Sequence, residues 1–348
     1  MTIAFLVGGT LFASALLWLS CSRLEESTHR LALRYGIPDA VKGSVLLAVS
    51  SSMPELVTVL LAFPVHGDFE LGLSAVVGSA IFNILIIPAF SVFARGRALE
   101  ANRDLVYREA QFYLVAVAVL MLVLSLSVIY YGPEPTIMPG GRRIFYGEFT
   151  RLLAVLPLLL YALYLFIQFE EVKRQRDDNP RHEGIRTLRE WGVVIACVAA
   201  ILVGVEILLR VAIALGALLS TPTFLWGMTI VAIATSLPDT FVSVRASVLG
   251  RTDSSLSNVL GSNVFDLLVA VPAGVMLTGA IAVNFTQIVP MMMFLVLATI
   301  VMLVFMLRDM ELSPRESTVM VVLYAAFCVW MALEAFGVSN VLGLRPIP

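Results

Sequence analysis

The sequence predicts an all-α polytopic membrane protein. Of its 348 residues, 59% are hydrophobic and only 14% are charged, whereas a soluble domain has about 45–50% apolar and about 25% charged residues. The apolar residues form long continuous runs, unlike the short alternating segments of a membrane β-barrel. These observations exclude a soluble enzyme and a disordered chain.

A helix that spans a membrane needs about 20 mostly apolar residues, and ten segments meet this criterion. The first lacks the positive start and the cleavage site of a signal peptide, so we interpret it as a retained helix. The ten predicted helices cover residues 2–21, 41–64, 71–94, 111–131, 149–170, 191–215, 222–247, 255–280, 283–307 and 317–337.

The connecting loops predict the orientation of the chain. Most Lys and Arg residues fall in the loops after the odd-numbered helices, and cytoplasmic loops carry the excess of basic residues. Both termini are therefore expected outside the cytoplasm. We therefore interpret the charge-rich stretch 171–190 as a cytoplasmic linker. The Pro- and Gly-rich stretch 132–147 is interpreted as an exposed external turn region.

The overall charge and the cysteines restrict the partners. The net charge of −2 gives no basic excess for binding nucleic acid. Cys21, Cys197 and Cys328 have neither disulfide nor zinc spacing, and we expect free thiols packed among helices. Inorganic cations and the lipid bilayer are the expected partners, and no obligate protein partner is evident.

An internal repeat relates the two halves of the chain. Ala48–Glu55 (AVSSSMPE) resembles Ala232–Asp239 (AIATSLPD), and Gly78–Asn83 (GSAIFN) resembles Gly261–Asp266 (GSNVFD). The matching positions are 184 residues apart in the first pair and 183 in the second. Duplicated units of five helices must lie in the membrane in opposite orientations, which is a transporter architecture. The two predicted inverted repeats span residues 1–170 and 191–348, with the motif pairs inside 43–88 and 227–272.

The motifs place carboxylates within predicted membrane spans. Glu55 and Asp239 lie near the middle of the second and seventh helices, where a carboxylate is costly unless it is paired or solvated. The bases within spans include Lys42, Arg210 and Arg245. They supply too little positive charge at the midplane to neutralise both acids, so a bound cation is the better partner.

Hydroxyl groups accompany the acids and amides at helical spacing. Ser51 and Glu55 are four residues apart and share a helix face, and Ser52 is three residues before Glu55. Pro54 cannot donate to the helical ladder and frees a backbone carbonyl. An all-oxygen set without His or Cys matches hard cations such as Ca²⁺, Na⁺ or K⁺. The same pattern recurs at Thr235, Ser236, Pro238 and Asp239, at Ser79 and Asn83, and at Ser262 and Asp266.

The motifs resemble the two α-repeats of the sodium/calcium exchanger family, within the Ca²⁺/cation antiporter superfamily. The resemblance covers nearly the whole chain and is to prokaryotic-type members without regulatory domains. It implies a secondary antiporter, not an enzyme, that needs no cofactor and transports Ca²⁺ and Na⁺. In this mechanism several Na⁺ enter as one Ca²⁺ leaves the prokaryotic cell, and the first and sixth helices slide to give alternating access.

The resemblance also implies the ion ligands. Glu55 and Asp239 match the central Ca²⁺ ligands of the family. The surrounding Na⁺ and Ca²⁺ positions map onto Ser51, Ser52, Ser79, Asn83, Thr235, Ser236, Ser262 and Asp266, together with the backbone carbonyls of Ala48 and Ala232.

Departures from the family pattern leave the coupling ion open. Ser50 and Ala234 stand where glycine is usual, and Asp239 replaces the commoner prokaryotic Glu. The run Gly78–Asn83 with Asp266 is similar to the K⁺-dependent branch, so cotransport of K⁺ stays open. A separate alternative keeps the fold and has H⁺ as the coupling ion. A non-transporting membrane ion sensor or scaffold is the alternative from another class.

Glu206 and Arg210 lie four residues apart in the sixth predicted helix. We interpret them as an ion pair that faces a partner helix or cavity. The alternative is a gate on the ion path.

Overall fold

The computed structural model describes residues 3–35, 47–134, 136–137, 143–174 and 187–339. The long apolar runs form helices because a helix satisfies every internal backbone polar group within one segment. The helices are α1 Ile3–Tyr35, α2 Leu47–Ser51, α3 Met53–His66, α4 Phe69–Arg95, α5 Arg103–Tyr131, α6 Arg151–Arg174, α7 Thr187–Leu219, α8 Thr223–Val248, α9 Thr252–Thr278, α10 Phe285–Asp309 and α11 Pro314–Ala335.

Within the described ranges, nine helices are long and apolar enough to cross a membrane, and α3 is a shorter apolar helix. The protein is a multi-pass integral membrane protein. The second predicted segment, 41–64, is represented by α2 and α3, and its first six residues lie outside the described part. The total of ten spans therefore stays a prediction.

Helix α1 is longer than predicted. It continues to Tyr35, whereas the apolar run suggested an end near Cys21. Beyond that point Leu24, Ser27 and Leu31 are buried, so a buried stripe at helical spacing extends the helix after the continuous apolar run has ended.

The predicted linker and external turn region also need correction. Helix α6 continues to Arg174 and α7 begins at Thr187, so helices occupy both ends of the stretch 171–190, and residues 175–186 lie outside the described part. The predicted turn region 132–147 contains paired strands.

Three two-stranded antiparallel ribbons connect the helices, a feature that the all-α prediction omitted. Strands β2 Thr136–Ile137 and β3 Arg143–Ile144 pair with each other. The other strands are β1 Leu99–Glu100, β4 Tyr146–Phe149, β5 Ile281–Asn284 and β6 Glu311–Leu312, with β1 paired to β6 and β4 to β5.

The ribbons define the two ends of the helix bundle, because β5 precedes α10 and β6 follows it. At the β5 end, Glu70 accepts a hydrogen bond from the backbone N–H of Asn284, and Asp68 accepts one from the hydroxyl of Thr223. At the β6 end, the backbone N–H of Asn102 donates to Asp253. The loops that meet at each end of the bundle are those that the predicted alternation of helix directions places on the same side of the membrane.

Helix α4 is the centre of the bundle. Its residues from Phe69 to Ala89 are buried apart from Glu70, and it packs against α3, α8, α9, α10 and α11. At Gly78 the backbones of α4 and α8 touch, since a Cβ there would lie 2.4 Å from the carbonyl oxygen of Met228. The close crossing brings the motifs of the two halves together.

Candidate ion-binding site

The first motif lies at an interruption between α2 and α3. Ser52 separates the two helices, with φ −88° and ψ 9°. Pro54 is in the first turn of α3, where its missing N–H costs nothing. The N–H of Ser52 still bonds to the carbonyl of Ala48 at 3.0 Å, so the helices remain in line. Glu55 is in the first turn of α3, where the helix dipole favours negative charge.

The second motif lies in continuous helix with π-helical turns beside it. A π-helical turn covers Gly227–Val231, directly before the motif, and regular helix then runs from Ala232 to Val248 with Pro238 inside. A second π-helical turn, Asp266–Ala270, begins at the last motif residue. Such turns are frequent at functional sites.

The first of two hydrogen-bond networks surrounds Glu55. The hydroxyl of Ser79 donates to Oε1 of Glu55 at 3.0 Å and lies 2.7 Å from the hydroxyl of Ser236. Thr235 lies beside the same carboxylate. Side chains from α3, α4 and α8 therefore meet at Glu55.

The second network surrounds Asp239. The hydroxyl of Ser262 donates to Oδ1 of Asp239 at 2.9 Å, and Nδ2 of Asn83 donates to Oδ2 at 3.3 Å. The hydroxyl of Ser51 lies 3.4 Å from that of Ser262. Four helices, α2, α4, α8 and α9, contribute to this network.

Sequence analysis missed Asn263, which links the helices of both halves. Its Oδ1 accepts from Nδ2 of Asn83 at 3.0 Å, and its own amide donates to the carbonyl of Ala80 at 3.2 Å. Asn263 lies within the second motif run, opposite the apolar Ala80 in the repeat alignment. The sequence contained one signal for this residue: the polar Asn263 stands where the matching motif has the apolar Ala80.

Several buried oxygens at the site have no hydrogen-bond partner among the described residues. They are Oε2 of Glu55, Oδ1 of Asn83, the hydroxyl of Ser52 and both carboxylate oxygens of Asp266. Ser52 lies beside Asp266. Buried carboxylate oxygens without donors are costly, and a bound cation would satisfy them. The donor set fits a hard cation, because it consists of oxygen alone.

The predicted backbone ligands face the motif hydroxyls. The carbonyl of Ala48 accepts from the hydroxyl of Ser51 at 3.2 Å, and the carbonyl of Ala232 accepts from that of Thr235 at 3.2 Å. Both carbonyls therefore lie next to side chains of the two networks.

The site is closed to both ends of the bundle. Glu55 is 1% exposed, and Asp239 and Asp266 are fully buried. In the part of the chain that the structure describes, none of the ion pairs involves these three acids. Nor do three or more His, Cys, Asp or Glu side chains there group as a metal cluster. A cation here would depend on hydroxyl, amide and carbonyl oxygens as well as on the acids.

Glu206 and Arg210 form the predicted ion pair. Nε of Arg210 donates to Oε1 of Glu206 at 2.7 Å. The carboxylate has a second partner that sequence analysis missed, because Nε2 of His66 lies 2.9 Å from its Oε2.

A polytopic helical bundle with a buried, oxygen-lined site, where an interrupted helix crosses helices that contain π-helical turns, has the architecture of a secondary transporter. The family model for the sodium/calcium exchanger protein matches residues 5–170 and 189–333. The chain belongs to the sodium/calcium exchanger family, whose members are secondary antiporters of Ca²⁺ and other cations and not enzymes.

Individual relatives extend over most of the chain. Inner membrane protein YrbG of Escherichia coli (strain K12) is 25% identical over 327 residues, which are 90% of this chain and 92% of the relative. Sodium/calcium exchanger MaX1 of Methanosarcina acetivorans is 25% identical over 330 residues, which are 87% of this chain and 92% of the relative.

A solved structure shows the same fold. The sodium-calcium exchanger NCX_Mj, soaked with 2.5 mM Na⁺ and 1 mM Sr²⁺, superimposes with a TM-score of 0.62 at 21% identity. The match covers 94% of this chain and 99% of that structure.

Proposed function

We propose that this chain exchanges Na⁺ for Ca²⁺ across a prokaryotic cell membrane and exports Ca²⁺. The observation that carries the proposal is the set of buried, unpartnered oxygens at the crossing of the motif helices. Glu55 and Asp239 are the proposed Ca²⁺ ligands. The proposed Na⁺ and Ca²⁺ positions around them use Ser51, Ser52, Ser79, Asn83, Thr235, Ser236, Ser262 and Asp266, with the carbonyls of Ala48 and Ala232.

Charge balance explains how two cations of different charge can share this site. One Ca²⁺ neutralises the carboxylates of Glu55 and Asp239. A single Na⁺ leaves one of these charges uncompensated in a buried, low-dielectric region, which is costly. Several Na⁺ are therefore needed to replace one Ca²⁺, and their binding competes with it.

Alternating access follows from the buried site and from the proposed inverted repeats, 1–170 and 191–348, joined by a cytoplasmic connection between α6 and α7. A cation in the closed site can leave only after helices move. In this proposal α1 and α7, the first and sixth predicted helices, slide past the remaining bundle. The β5 end faces the outside, as do both termini, and the β6 end faces the cytoplasm.

A K⁺-dependent exchanger is the second candidate. Both carboxylate oxygens of Asp266 are buried and lack a hydrogen-bond partner in the described part of the chain. A further monovalent cation beside Ser52 would satisfy these oxygens. Proton coupling and a non-transporting ion sensor or scaffold are also compatible with the fold, and flux measurements under defined gradients decide among these functions.

Flux in proteoliposomes tests the proposal. Vesicles preloaded with Na⁺ are expected to take up Ca²⁺, whereas vesicles preloaded with choline are not. Glu55→Gln and Asp239→Asn are each expected to lower this uptake by about a hundredfold or more, since ligand charge sets Ca²⁺ affinity over several decades. Glu148→Gln removes an exposed carboxylate on β4 and serves as the control that keeps full uptake.

Each other outcome identifies a different function. Uptake that a pH gradient alone drives would replace Na⁺ with H⁺ as the coupling ion. Uptake that needs both Na⁺ and K⁺ would show the K⁺-dependent exchanger. Absence of uptake under every gradient, with folded protein, would favour the sensor.

A further inference from the structure

Glu206 connects α7 to α3 by a contact that the ion site does not use. Its Oε2 lies 2.9 Å from Nε2 of His66 on α3, and its Oε1 accepts from Arg210 on its own helix. The side chains of His66 and Glu206 are 12% and 25% exposed, whereas that of Arg210 is 70% exposed. The interhelical half of this group is thus the shielded half, where the charge of the carboxylate is screened least by solvent.

Helix α3 joins this contact to the ion site. Glu55 is in the first turn of this 14-residue helix and His66 is in its last turn. The helix ends directly after His66, because Gly67 adopts φ 69° and its N–H bonds back to the carbonyl of Phe63. Displacement of α7 away from this end of the Glu55 helix would therefore stretch or break the bond to His66.

Helix α7 is tightly packed along α1. A Cβ at Gly204, two residues before Glu206, would lie 2.8 Å from Cδ2 of Leu17 on α1. Near the other end of the pair, Nε1 of Trp191 donates to the hydroxyl of Tyr35 at 3.2 Å. We treat α1 and α7 as one unit that moves together.

This unit is joined by polar contacts to the interrupted helix α2–α3 on both sides of Ser52. Toward the β5 end the contact is the charged bond between Glu206 and His66. On the α2 side the hydroxyl of Thr28 on α1 lies 3.1 Å from that of Ser50. The bond to Glu206 is the stronger of the two, because hydrogen bonds with an ionised partner are about twice as strong as neutral ones.

We propose that the Glu206–His66 contact is a latch that holds the β5 end closed. It forms when the α1–α7 unit lies against the end of α3, and it breaks each time that end opens. His66 and Glu206 act as positioning residues and do not bind the transported ions. The inference rests on the alternating exchange proposed above.

Ion affinities measured separately at the two faces test the latch. Glu206→Leu and His66→Leu remove the contact and shift the population toward the state that is open at the β5 end. In right-side-out vesicles the half-saturating external Ca²⁺ concentration is expected to fall by about three- to tenfold. In inside-out vesicles the value for the cytoplasmic face is expected to rise. The double variant is expected to match the single ones, because all three lack the same contact.

Arg210→Gln is the matched control, since it removes the exposed partner of Glu206 and keeps His66. Its half-saturating concentrations are expected to stay within about twofold of wild type. Unchanged values in Glu206→Leu and His66→Leu, or equal changes of the same sign at both faces, would overturn the latch.

Reversible cross-linking tests the same contact without affinity measurements. Glu206→Cys and His66→Cys are combined in a protein whose three native cysteines are replaced by Ala. Linking the two thiols is expected to lower exchange more than about tenfold, and reductant is expected to restore it, because the linked end cannot open. The control pair is Leu17→Cys with Gly204→Cys, whose cross-link lies inside the moving unit and should leave exchange intact.

The two proposals fail in distinguishable ways. Full exchange through the cross-linked 66–206 pair would overturn the latch while the exchanger stands. Absence of exchange in the unlinked parent would contradict the proposed function, and the yield of the cross-link would still test the contact. A high yield without transported ions supports the contact, and a yield no higher than that of a distant thiol pair overturns it.

Discussion

The two ion-site helices carry matching motifs on different backbones. In the first half the helix is interrupted at Ser52, inside the motif, and Glu55 lies in the first turn of a new helix. In the second half a π-helical turn precedes the motif, and regular helix runs through Pro238 to Asp239 and beyond. The same residue pattern thus places a carboxylate at the crossing by two local routes.

The hydrogen bonds show where the halves agree and where they differ. Ser79 donates to Glu55 at 3.0 Å and Ser262 donates to Asp239 at 2.9 Å, so each half supplies its acid with one hydroxyl. Asp239 has donors for both oxygens, whereas Oε2 of Glu55 has none among the described residues. Of the two central acids, Glu55 is therefore the one that has an open coordination position in the described structure.

Replacement of the two motif prolines is expected to show the largest difference between the two helices. Pro238 lies inside a helix, where its missing N–H and its ring cost stability. Pro238→Ala is expected to raise the free energy of unfolding by about 1–3 kcal/mol. Pro54→Ala is expected to lower it by about 0.5 kcal/mol, because a proline in a first turn mainly restricts the unfolded chain. Thermal unfolding in detergent measures both, and shifts of equal sign and size would remove the distinction.

Replacement of the matching serines, Ser52 and Ser236, is expected to show a smaller difference in stability. Ser236 lies 2.7 Å from Ser79, so Ser236→Ala is expected to cost about 1 kcal/mol of stability and to weaken Na⁺ activation. The Ser52 hydroxyl has no partner in the described structure, so Ser52→Ala should change stability by less than about 0.5 kcal/mol. It should still raise the half-activating Na⁺ concentration several-fold.

Unfolding midpoints and Na⁺ activation curves for the two variants test this pair. Ser125→Ala is the control, because among the described residues that hydroxyl bonds to the carbonyl of Met121 in its own helix. A loss of stability in Ser52→Ala as large as in Ser236→Ala would show that the two positions are equivalent.

The sequence predicted the parts of the molecule that follow a period or a repeat. Apolar run length located the long helices, and motif spacing located the residues that meet around Glu55 and Asp239. The longer α1 was missed because run length does not register the buried stripe of Leu24 and Leu31. The β4–β5 ribbon was missed because its strands have four residues each and their partners are distant in the chain.

The contact between His66 and Glu206 shows a further limit of sequence reasoning. Spacing of four residues identified the bond between Glu206 and Arg210. His66 is 140 positions away in sequence, and no period or repeat relates the two residues. Only the packing of α7 against α3 brings them together.

Equilibrium Ca²⁺ binding to the purified protein in detergent tests the central claim most directly. The measurement compares wild type, the double variant Glu55→Gln with Asp239→Asn, and the control Glu148→Gln by titration calorimetry. The account predicts saturable Ca²⁺ binding in wild type and control, displacement by Na⁺ and loss of binding in the double variant. Ca²⁺ binding of wild-type strength in the double variant would contradict it.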